Sequence, residues 1–423
     1  GLVVFLQLSR TEIQRSLTHG GRVQTSGFAG KRLRHAIVVA EIAVALVLLI
    51  GTGLLLRSFS QLLAVDPGFD AADGAVIETH VWSRYATEEE RALFFANSLA
   101  AIVALPGVES AGAVSSLPFL PTRIDKNNAF GIVGRPAPTP ADQPVGFHSV
   151  VTPGYFEAMG IPLRRGRLFT KLDAAEGAYV ALINETMRDR YWPEVDPIGA
   201  SIVVRSMGPA RLHEIVGVVG DVRHAGLDRS PRAELFVPHR QNPTGSMTYF
   251  IRPSDPETPI LESVRRAMWS VDKDLAISTA TTLRDLMAES VAERRLSLYL
   301  FSAFAAIALA LAAIGVYSLI RFTTMQTARE IGLRMAIGAT GWDIVRLVLG
   351  KKLLLIACGL VLGGVGAYVL SRFMASLLYG VTPTDGRTFT AMALLLAVVA
   401  LVASYIPVRR IIDGEPMRVL RDE

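Results

Sequence analysis

The sequence predicts an α-helical membrane domain of four transmembrane spans that carries a large α+β domain outside the membrane. The first observation is composition. Of the 423 residues, 51% are hydrophobic and 19% are charged, and the mean hydropathy is +0.37, whereas a soluble chain has about 25% charged residues. The second is distribution, because the apolar excess lies in four runs while residues 57–295 have the mixed composition of a globular domain that can bury its own core.

Each of the four apolar runs is long enough for a membrane-spanning helix, which needs about 20 residues at a rise of about 1.5 Å to cross about 30 Å of hydrocarbon. One run alone would also fit a buried helix of a soluble protein. Four runs, each bounded by charge or proline, favour the membrane. We expect the spans at residues 36–56, 297–320, 353–378 and 389–408.

Basic residues predict the orientation of the spans. Lys31, Arg32 and Arg34 precede the first span, and other basic residues fill the link between the second and third spans and follow the fourth. The short link after the third span has only Arg387. Because positive charge is retained on the cytoplasmic side, we expect both termini in the cytoplasm. The predicted cytoplasmic segments are residues 1–35, 321–352 and 409–423, and the predicted outer segments are residues 57–296 and 379–388.

Two stretches of the outer domain have the order strand, helix, strand, which is the split pattern of a ferredoxin-like sandwich. In the first stretch, strands at Ala75–Val81 and Val108–Leu117 flank a helix that ends near Leu105. Thr87 and Glu90 have the spacing of a capping box, so the helix should begin directly after Thr87.

The second stretch repeats this order near the end of the outer domain. Strands are predicted at Met247–Arg252 and Leu275–Thr279, and Thr258 is placed to cap a helix with Pro259 at its first position. The apolar residues that share one face of this helix are Leu261, Val264, Met268 and Val271.

Residues 118–246, between the two stretches, are predicted to form a mostly β subdomain inserted into the sandwich, because they are rich in glycine, proline and short β-branched runs. Apolar residues of the segment 282–295 recur at helical spacing and lead into the second span, which predicts a stiff helical stalk. The clearest β-branched runs of the insert are Tyr179–Ile183, Ser201–Val204 and Glu214–Val219.

Two features inside the spans are unusual. Glu41 is the only acid well inside the first span, and such a carboxylate either has a function or forms a salt bridge to an arginine of the basic link or the C-terminal tail. One face of the third span has a small side chain every four residues, which permits close helix approach. This face either packs within the four-helix bundle or forms a homodimer seam. Its residues are Gly359, Gly363, Ala367 and Ser371.

Motifs for catalysis or cofactor binding are weak. The segment GFAGKR at residues 27–32 has the Gly-Lys pair of a phosphate loop, but Thr25 stands where the first glycine belongs and Arg32 replaces the magnesium-binding Ser or Thr. Basic residues lie beside the apolar runs instead of alternating with aromatic residues, which disfavours nucleic-acid binding.

Metal and thiol chemistry are also disfavoured. The single cysteine, Cys358, lies in an apolar run, so no intrachain disulfide can form. His213, His224 and His239 lack metal-ligand spacing and fit ordinary surface or core histidines. We therefore expect no catalytic residue, no metal and no cofactor, and we expect that the chain is not an enzyme.

The link between the second and third spans is the most informative polar segment. The sequence from Thr327 to Lys352 can begin with an amphipathic helix that ends near Gly338. Such a helix either lies in solvent or on the membrane surface, or docks a cytoplasmic partner. Ile331 and Met335 lie on one side of it, and Arg329, Glu330 and Arg334 lie elsewhere.

Part of this link resembles a known family. Arg329–Ala339 (REIGLRMAIGA) is similar to the loop of FtsX-like permeases of the MacB type, in which E-I-G-x-R-x-A-x-G-A joins the second and third spans and faces an ATPase. The resemblance covers nearly the whole chain. Other segments similar to the family's periplasmic core domain and C-terminal end are Ala40-Glu41, Val151–Phe169, Ile183–Gly199, Ile215–Val222 and Glu415–Glu423.

The resemblance implies a type VII ABC permease of a bacterial inner membrane with a porter-like periplasmic subdomain and an inserted second subdomain. It implies mechanotransmission, in which a cytoplasmic ATPase on a separate chain moves the outer domain. Other implied partners are a second permease module or a second copy of the chain, a periplasmic adaptor or substrate protein, and the lipid bilayer. The residues implied to couple the ATPase are Arg329, Glu330, Ile331, Gly332, Arg334, Ala336, Gly338 and Ala339.

An alternative function follows from the start of the chain. The apolar segment Gly1–Leu8 resembles the second half of duplicated orphan permeases, in which two such modules are fused. Orphan members are not reliably linked to an ATPase. The alternative is therefore a membrane-anchored sensing or scaffolding module whose periplasmic domain binds a partner and transports nothing.

Overall fold

The computed structural model divides the chain into two compact units. One contains Ser60–Leu296 and is named the outer unit here; the other contains the residues up to Phe59 and from Ser297 onward and is named the membrane unit. The outer unit has nearly the bounds of the predicted outer domain, residues 57–296. The structure describes residues 27–70, 74–120, 127–135, 143–170, 172–173, 177–204, 210–255, 258–327, 333–334, 337–338 and 340–413.

The helices and strands are labelled in chain order. The helices are α1 (Gly27–Leu63), α2 (Glu88–Val103), α3 (Tyr155–Met159), α4 (Glu185–Tyr191), α5 (Leu261–Val271), α6 (Leu283–Ser290), α7 (Ala292–Gln326), α8 (Gly341–Phe373) and α9 (Gly386–Asp413). The strands are β1 (Ala75–His80), β2 (Val108–Val114), β3 (Asn127–Ile132), β4 (Val145–Val151), β5 (Leu163–Gly166), β6 (Val180–Asn184), β7 (Ser201–Val204), β8 (Arg211–Val219), β9 (Glu234–Pro238), β10 (Ser246–Pro253) and β11 (Ile277–Thr282).

Four helices of the described chain are long and apolar enough to cross a membrane, as the sequence predicts. They contain the segments Arg32–Leu63, Ala292–Gln326, Leu353–Phe373 and Gly386–Arg409. The third predicted span is too long at its end, because α8 stops at Phe373 and a short 3-10 turn, Ala375–Leu377, follows it. The other helices extend beyond the predicted spans, since hydropathy reports the apolar part of a helix and the helix continues into polar sequence.

The outer unit contains the predicted ferredoxin-like sandwich. Its strands lie in the order β11-β1-β10-β2, and all three neighbouring pairs are antiparallel. Along the chain, helix α2 follows β1 and helix α5 follows β10. The pattern is therefore βαβ, a long insert, then βαβ. Buried side chains from the strands and from both helices form one core, with Phe95, Val264 and Met268 fully buried.

One of the two sandwich helices is capped as predicted, and the other is not. Thr87 and Glu90 form the predicted capping box at the start of α2. The predicted cap at Thr258 is wrong: α5 begins at Leu261 with Ile260 as its N-cap, and no side chain caps it. The Thr258 hydroxyl lies 3.3 Å from Asp255 Oδ2 instead. The local hydrogen bond to Asp255 satisfies Thr258, and burial of Val264 and Met268 positions α5 without a cap.

The inserted subdomain is a closed barrel, which the sequence did not indicate beyond its β content. Six strands pair in the ring β3-β4-β9-β6-β8-β7 and back to β3, with β5 added beside β8. The barrel joins the sandwich through a pair between Val114 of β2 and Val151 of β4. Closure leaves no open strand edge within the ring, which removes the risk of edge-to-edge association.

The predicted stalk is made of two helices instead of one. Thr282 caps α6, which ends at Ser290, and α7 begins at Ala292. Val291 lies between them with φ −107° and ψ 1°, outside the helical range. The second span therefore begins as part of α7, and α6 packs separately on the outer unit through Leu283 and Leu286.

Candidate functional site

The loop between α7 and α8 is shorter than predicted, because both helices extend into the predicted segment 321–352. Of the eight residues predicted to couple an ATPase, Arg334 and Gly338 are described. Those that lie outside the described residues are Arg329, Glu330, Ile331, Gly332, Ala336 and Ala339.

The described part of this loop forms a short helical turn with an exposed apolar pair. The Ile337 N–H donates to the Leu333 carbonyl at 3.2 Å, which is the i to i−4 bond of a helix. Gly338 follows with φ +105°, a conformation that favours glycine after the last helical residue. The side chains of Leu333 and Ile337 are 64% and 79% exposed on one face of the turn. The sequence interpretation missed this pair, although its i, i+4 spacing was visible.

Helix α1 is the centre of the membrane unit, since each of the other three long helices contacts it. Thr52 Oγ1 donates to the Phe301 carbonyl of α7 at 3.1 Å. The Arg57 guanidinium pairs with Asp385, directly before α9. The hydroxyl of Ser58 accepts a hydrogen bond from the Tyr379 N–H at 2.7 Å. A displacement of α1 would therefore change its contacts with the other three long helices.

The small-residue face of α8 packs against α1. A Cβ added at Gly359 would lie 2.7 Å from Ile42 Cγ2, and one added at Gly363 would lie 2.8 Å from the Ala43 carbonyl oxygen. The two helices therefore approach as closely as the glycines allow. Ala367 and Ser371, the other residues of this face, are buried.

Glu41 lies against α7, and no arginine of the described residues pairs with it. A Cβ added at Gly315 would lie 2.0 Å from Glu41 Oε2, so the absent side chain makes room for the carboxylate. This oxygen is buried, and within the described residues it has no hydrogen-bond partner. The Arg34 guanidinium is 4.3 Å from the Phe322 ring centroid and does not pair with Glu41. A cavity of about 330 Å³ beside the carboxylate is lined by Arg34, Ile37, Val38, Glu41, Gly315, Ser318, Leu319 and Phe322.

The three histidines noted in the insert are hydrogen-bonded or buried within the fold, as structural histidines are. His224 Nε2 lies 2.8 Å from Glu234 Oε2, and Ser149 Oγ donates to the other oxygen of the same carboxylate at 2.5 Å. Burial lowers the pKa of His239 to about 4 and lowers the pKa of His213. Within the described residues, no three His, Cys, Asp or Glu side chains are grouped to hold a metal ion.

Comparison with known proteins decides the family. The model of the MacB-like periplasmic core domain matches residues 36–268, more than half of the chain, and the model of the FtsX-like permease C-terminal region matches residues 302–416. The chain belongs to the family of FtsX-like permeases with a MacB-like periplasmic core domain. It is therefore a membrane protein of the permease type, with four candidate spans, whose outer unit is a MacB-like periplasmic core domain.

Curated relatives of this MacB-like chain are longer than it is. It is 26% identical over 281 residues to the macrolide export ATP-binding/permease protein MacB of Marinobacter nauticus, which covers 62% of this chain and 41% of the relative. It is 25% identical over 284 residues to the probable syringafactin export ATP-binding/permease protein SyfD of Pseudomonas syringae pv. syringae, covering 64% and 42%. The chain thus spans less than half the length of these relatives.

Solved structures with some likeness to this MacB-like chain are outer domains. The periplasmic region of MacB from Actinobacillus actinomycetemcomitans is 14% identical with a TM-score of 0.35, and the match covers 52% of this chain and 94% of that one. The extracellular domain of the transporter YknZ from Gram-positive bacteria is 13% identical with a TM-score of 0.31, covering 48% and 100%.

Proposed function

We propose that the chain is the permease subunit of an ABC-type export system and that it works with a cytoplasmic ATPase on another polypeptide. Both relatives described above are named as export ATP-binding/permease proteins, and this chain matches less than half of each. The observation that carries the proposal is the exposed apolar pair Leu333 and Ile337, with exposed Arg334 between them, in the loop that the family match assigns to the permease region. We infer that this apolar pair, beside a basic side chain, is part of a surface for a protein partner.

The proposed mechanism is mechanical. The chain passes between the two compact units twice, after Phe59 and before Ser297, and both passages lie inside helices, α1 and α7. A helix has its backbone hydrogen bonds within itself and transmits a shift or rotation along its axis better than a loop does. The ATPase would bind the Leu333–Gly338 turn, and its cycle would displace α7 and, through the contacts of α1, the rest of the bundle.

The proposal includes an orientation and a division of labour. Both termini and the Leu333–Gly338 turn would lie in the cytoplasm, and residues 57–296 would lie in the periplasm, because basic residues concentrate on the proposed cytoplasmic side. The permease chain would catalyse no reaction itself, and ATP hydrolysis would belong to the partner. A second permease module or a second copy would complete the complex.

The experiment is co-purification of the chain, reconstituted in lipid nanodiscs, with a candidate ATPase of the MacB type. We expect a stable complex and a change in ATP hydrolysis when the permease is present. Reversal of charge by Arg334→Glu, or loss of the apolar pair by Leu333→Asp with Ile337→Asp, should weaken binding by tenfold or more, since each removes about 1.4 kcal/mol or more of contact energy.

Arg387→Glu is the matched control, because it reverses a charge on the side proposed to face away from the ATPase. This variant should bind as the unchanged chain does. Equal binding by the Arg334→Glu, the Leu333→Asp/Ile337→Asp and the unchanged chains would show that the turn is not the ATPase contact.

A further inference from the structure

The outer unit contains a cavity of about 350 Å³ at the place where five parts of its chain meet. The parts are the end of α1, the loop after β2, strand β4, the loop after β8 and the joint between α6 and α7. This volume is at the lower end of the range of small-molecule sites, about 300–1,000 Å³. The lining residues used below are Leu62, Leu117, Phe119, Phe147, Leu227 and Arg232.

Part of the cavity lining is apolar. Leu62, Leu117, Phe119, Phe147 and Leu227 all line it, and each is less than a tenth exposed. These side chains come from separate parts of the outer unit, so the cavity is a product of the fold and not of one flexible loop. An apolar chain placed there would be shielded from water on several sides.

Of the three formally charged side chains that line the cavity, Asp228 and Arg294 pair with each other and Arg232 pairs with no described residue. Asp228 accepts a hydrogen bond from Arg294 at 2.8 Å. Behind the lining, His224 Nε2 lies 2.8 Å from Glu234 Oε2, a contact that is an ion pair only when His224 is protonated. Arg232 makes no ion pair with any described residue, and its guanidinium lies 5.8 Å from the ring centroid of Phe147. The exposed Arg232 guanidinium, with no ion-pair partner among the described residues and beside these apolar side chains, is complementary to a molecule with one negative charge and an apolar body.

Backbone strain marks the same cavity. Phe119 has φ +64°, and among the described residues it is the one non-glycine residue in the left-handed region. Its N–H donates to the His224 carbonyl at 3.0 Å, and its ring meets Phe69 edge to face. A bulky residue keeps this conformation only where its surroundings hold it there, and such positions concentrate at ligand sites. The surrounding fold holds the Phe119 ring in the cavity lining in spite of this backbone conformation.

We propose that this cavity binds a single-chain amphiphile with a carboxylate head, of the fatty-acid type. The Arg232 guanidinium would hold the carboxylate through two parallel N–H···O bonds, and the chain would lie against Leu117, Phe119 and Phe147. A monoanionic carboxylate matches one free guanidinium, whereas a dianionic phosphate ester would need a second. The bound molecule would also touch Leu62 at the end of α1 and Val291 before α7. The proposal does not depend on the ATPase.

The test uses the full chain in phosphatidylcholine nanodiscs and a photoreactive octanoate that carries a diazirine on its chain. Mass spectrometry of the labelled protein should locate the label in the peptides that contain Leu117–Leu120 and His224–Arg232. Unlabelled octanoate should compete. Octyl phosphate should compete less well, and octyltrimethylammonium should not compete. Arg232→Ala should lower labelling at a fixed probe concentration about tenfold, because it removes a charge-assisted contact.

Arg229→Ala is the matched control, since the Arg229 side chain is 74% exposed and does not line the cavity. It should leave labelling unchanged. Arg232→Glu should reverse the preference, so that octyltrimethylammonium protects the cavity peptides in a competition assay with a diazirine probe of matching cationic head. Absence of label from these peptides, equal competition by anion and cation, or unchanged labelling of Arg232→Ala would each overturn the proposal.

Discussion

Buried histidines make the stability of the outer unit sensitive to acid. His148 of β4 is 7% exposed, and within the described residues neither of its ring nitrogens has a hydrogen-bond partner. Burial, with a smaller contribution from the nearby charge of His213, lowers the pKa of His148 from 6.5 to about 4. The folded chain therefore excludes a proton that the unfolded chain binds readily below pH 6.5.

The resulting prediction is a loss of stability on acidification. As pH falls from about 6.5 to about 4, the unfolded state takes up a proton at His148 and the folded state does not, so the free energy of unfolding decreases. The expected decrease from this residue is of order 3 kcal/mol. Thermal unfolding of the outer unit within the full chain, followed by tryptophan fluorescence at several pH values, would measure it.

Comparison of two histidine variants isolates this effect. His148→Leu should remove the share of the pH dependence between 6.5 and 4 that belongs to this residue, while His239, whose pKa burial also lowers to about 4, should keep a comparable share. His80→Gln should leave it intact, because the His80 side chain is half exposed. A His148→Leu chain as acid-sensitive as the unchanged one would mean that other groups control the acid response.

At the residue scale, contacts between residues close in sequence could be predicted, and contacts between distant residues could not. The capping box of Thr87 and Glu90 was predictable because both partners are local in sequence. The neighbours of Glu41 were not, because the space for its carboxylate is provided by the absence of a side chain at Gly315, far along the chain. The free guanidinium of Arg232 was also hidden, since only the fold shows which arginines have acidic partners.

Among the elements, α1 and α8 make a contact with little room for larger side chains. Gly363 lies over the backbone of α1, where an added Cβ would be 2.8 Å from the Ala43 carbonyl oxygen and 2.9 Å from Leu46 Cβ. Backbone atoms cannot turn aside as a flexible side chain can. The approach of these two helices therefore depends on glycine at this position.

We predict that Gly363→Leu destabilises the membrane unit by about 1–3 kcal/mol, through the steric cost of overpacking. Heat-induced loss of the monodisperse peak in detergent would measure the effect. Gly364→Leu is a matched control, because an added Cβ at Gly364 meets no atom within 4 Å. Equal thermal stability of the two variants would contradict the packing of α8 on α1 described above.

At the element scale, the sequence predicted the sandwich strands and helices closely, because periodicity, caps and breakers are local signals. The extent of the helices was underestimated, since α7 and α8 continue beyond their apolar segments. Closure of the barrel required pairing of β4 with β9 and of β3 with β7, each between strands far apart in the chain. Alternating hydrophobicity does not specify the partner of a strand, so the ring could not be predicted.

At the scale of the whole molecule, two helices connect the compact units along the chain. Helices α1 and α7 each belong partly to the membrane unit and partly to the outer unit. The break at Val291 separates α7 from α6, so α7 can shift without unfolding the turn that Thr282 caps. The proposed function requires that the ATPase cycle change the position of the outer-unit ends of α1 and α7.

The most direct test is the distance between spin labels at Leu63→Cys on α1 and Leu296→Cys on α7. Both positions lie in the outer unit and are more than half exposed, and the exposed Cys358 would first be replaced by serine. The chain would be reconstituted with its ATPase, and pulsed electron resonance would compare the nucleotide-free and ATP-bound states. Labels at Val133→Cys and Val195→Cys, both in the inserted subdomain, provide the control pair.

Mechanical transmission through α1 and α7 predicts that ATP shifts the distance distribution of the Leu63–Leu296 pair. It also predicts that Arg334→Glu abolishes the shift and that the Val133–Val195 pair keeps its distance in every state. An unchanged Leu63–Leu296 distribution in a complex that binds and hydrolyses ATP would contradict mechanical transmission through these helices.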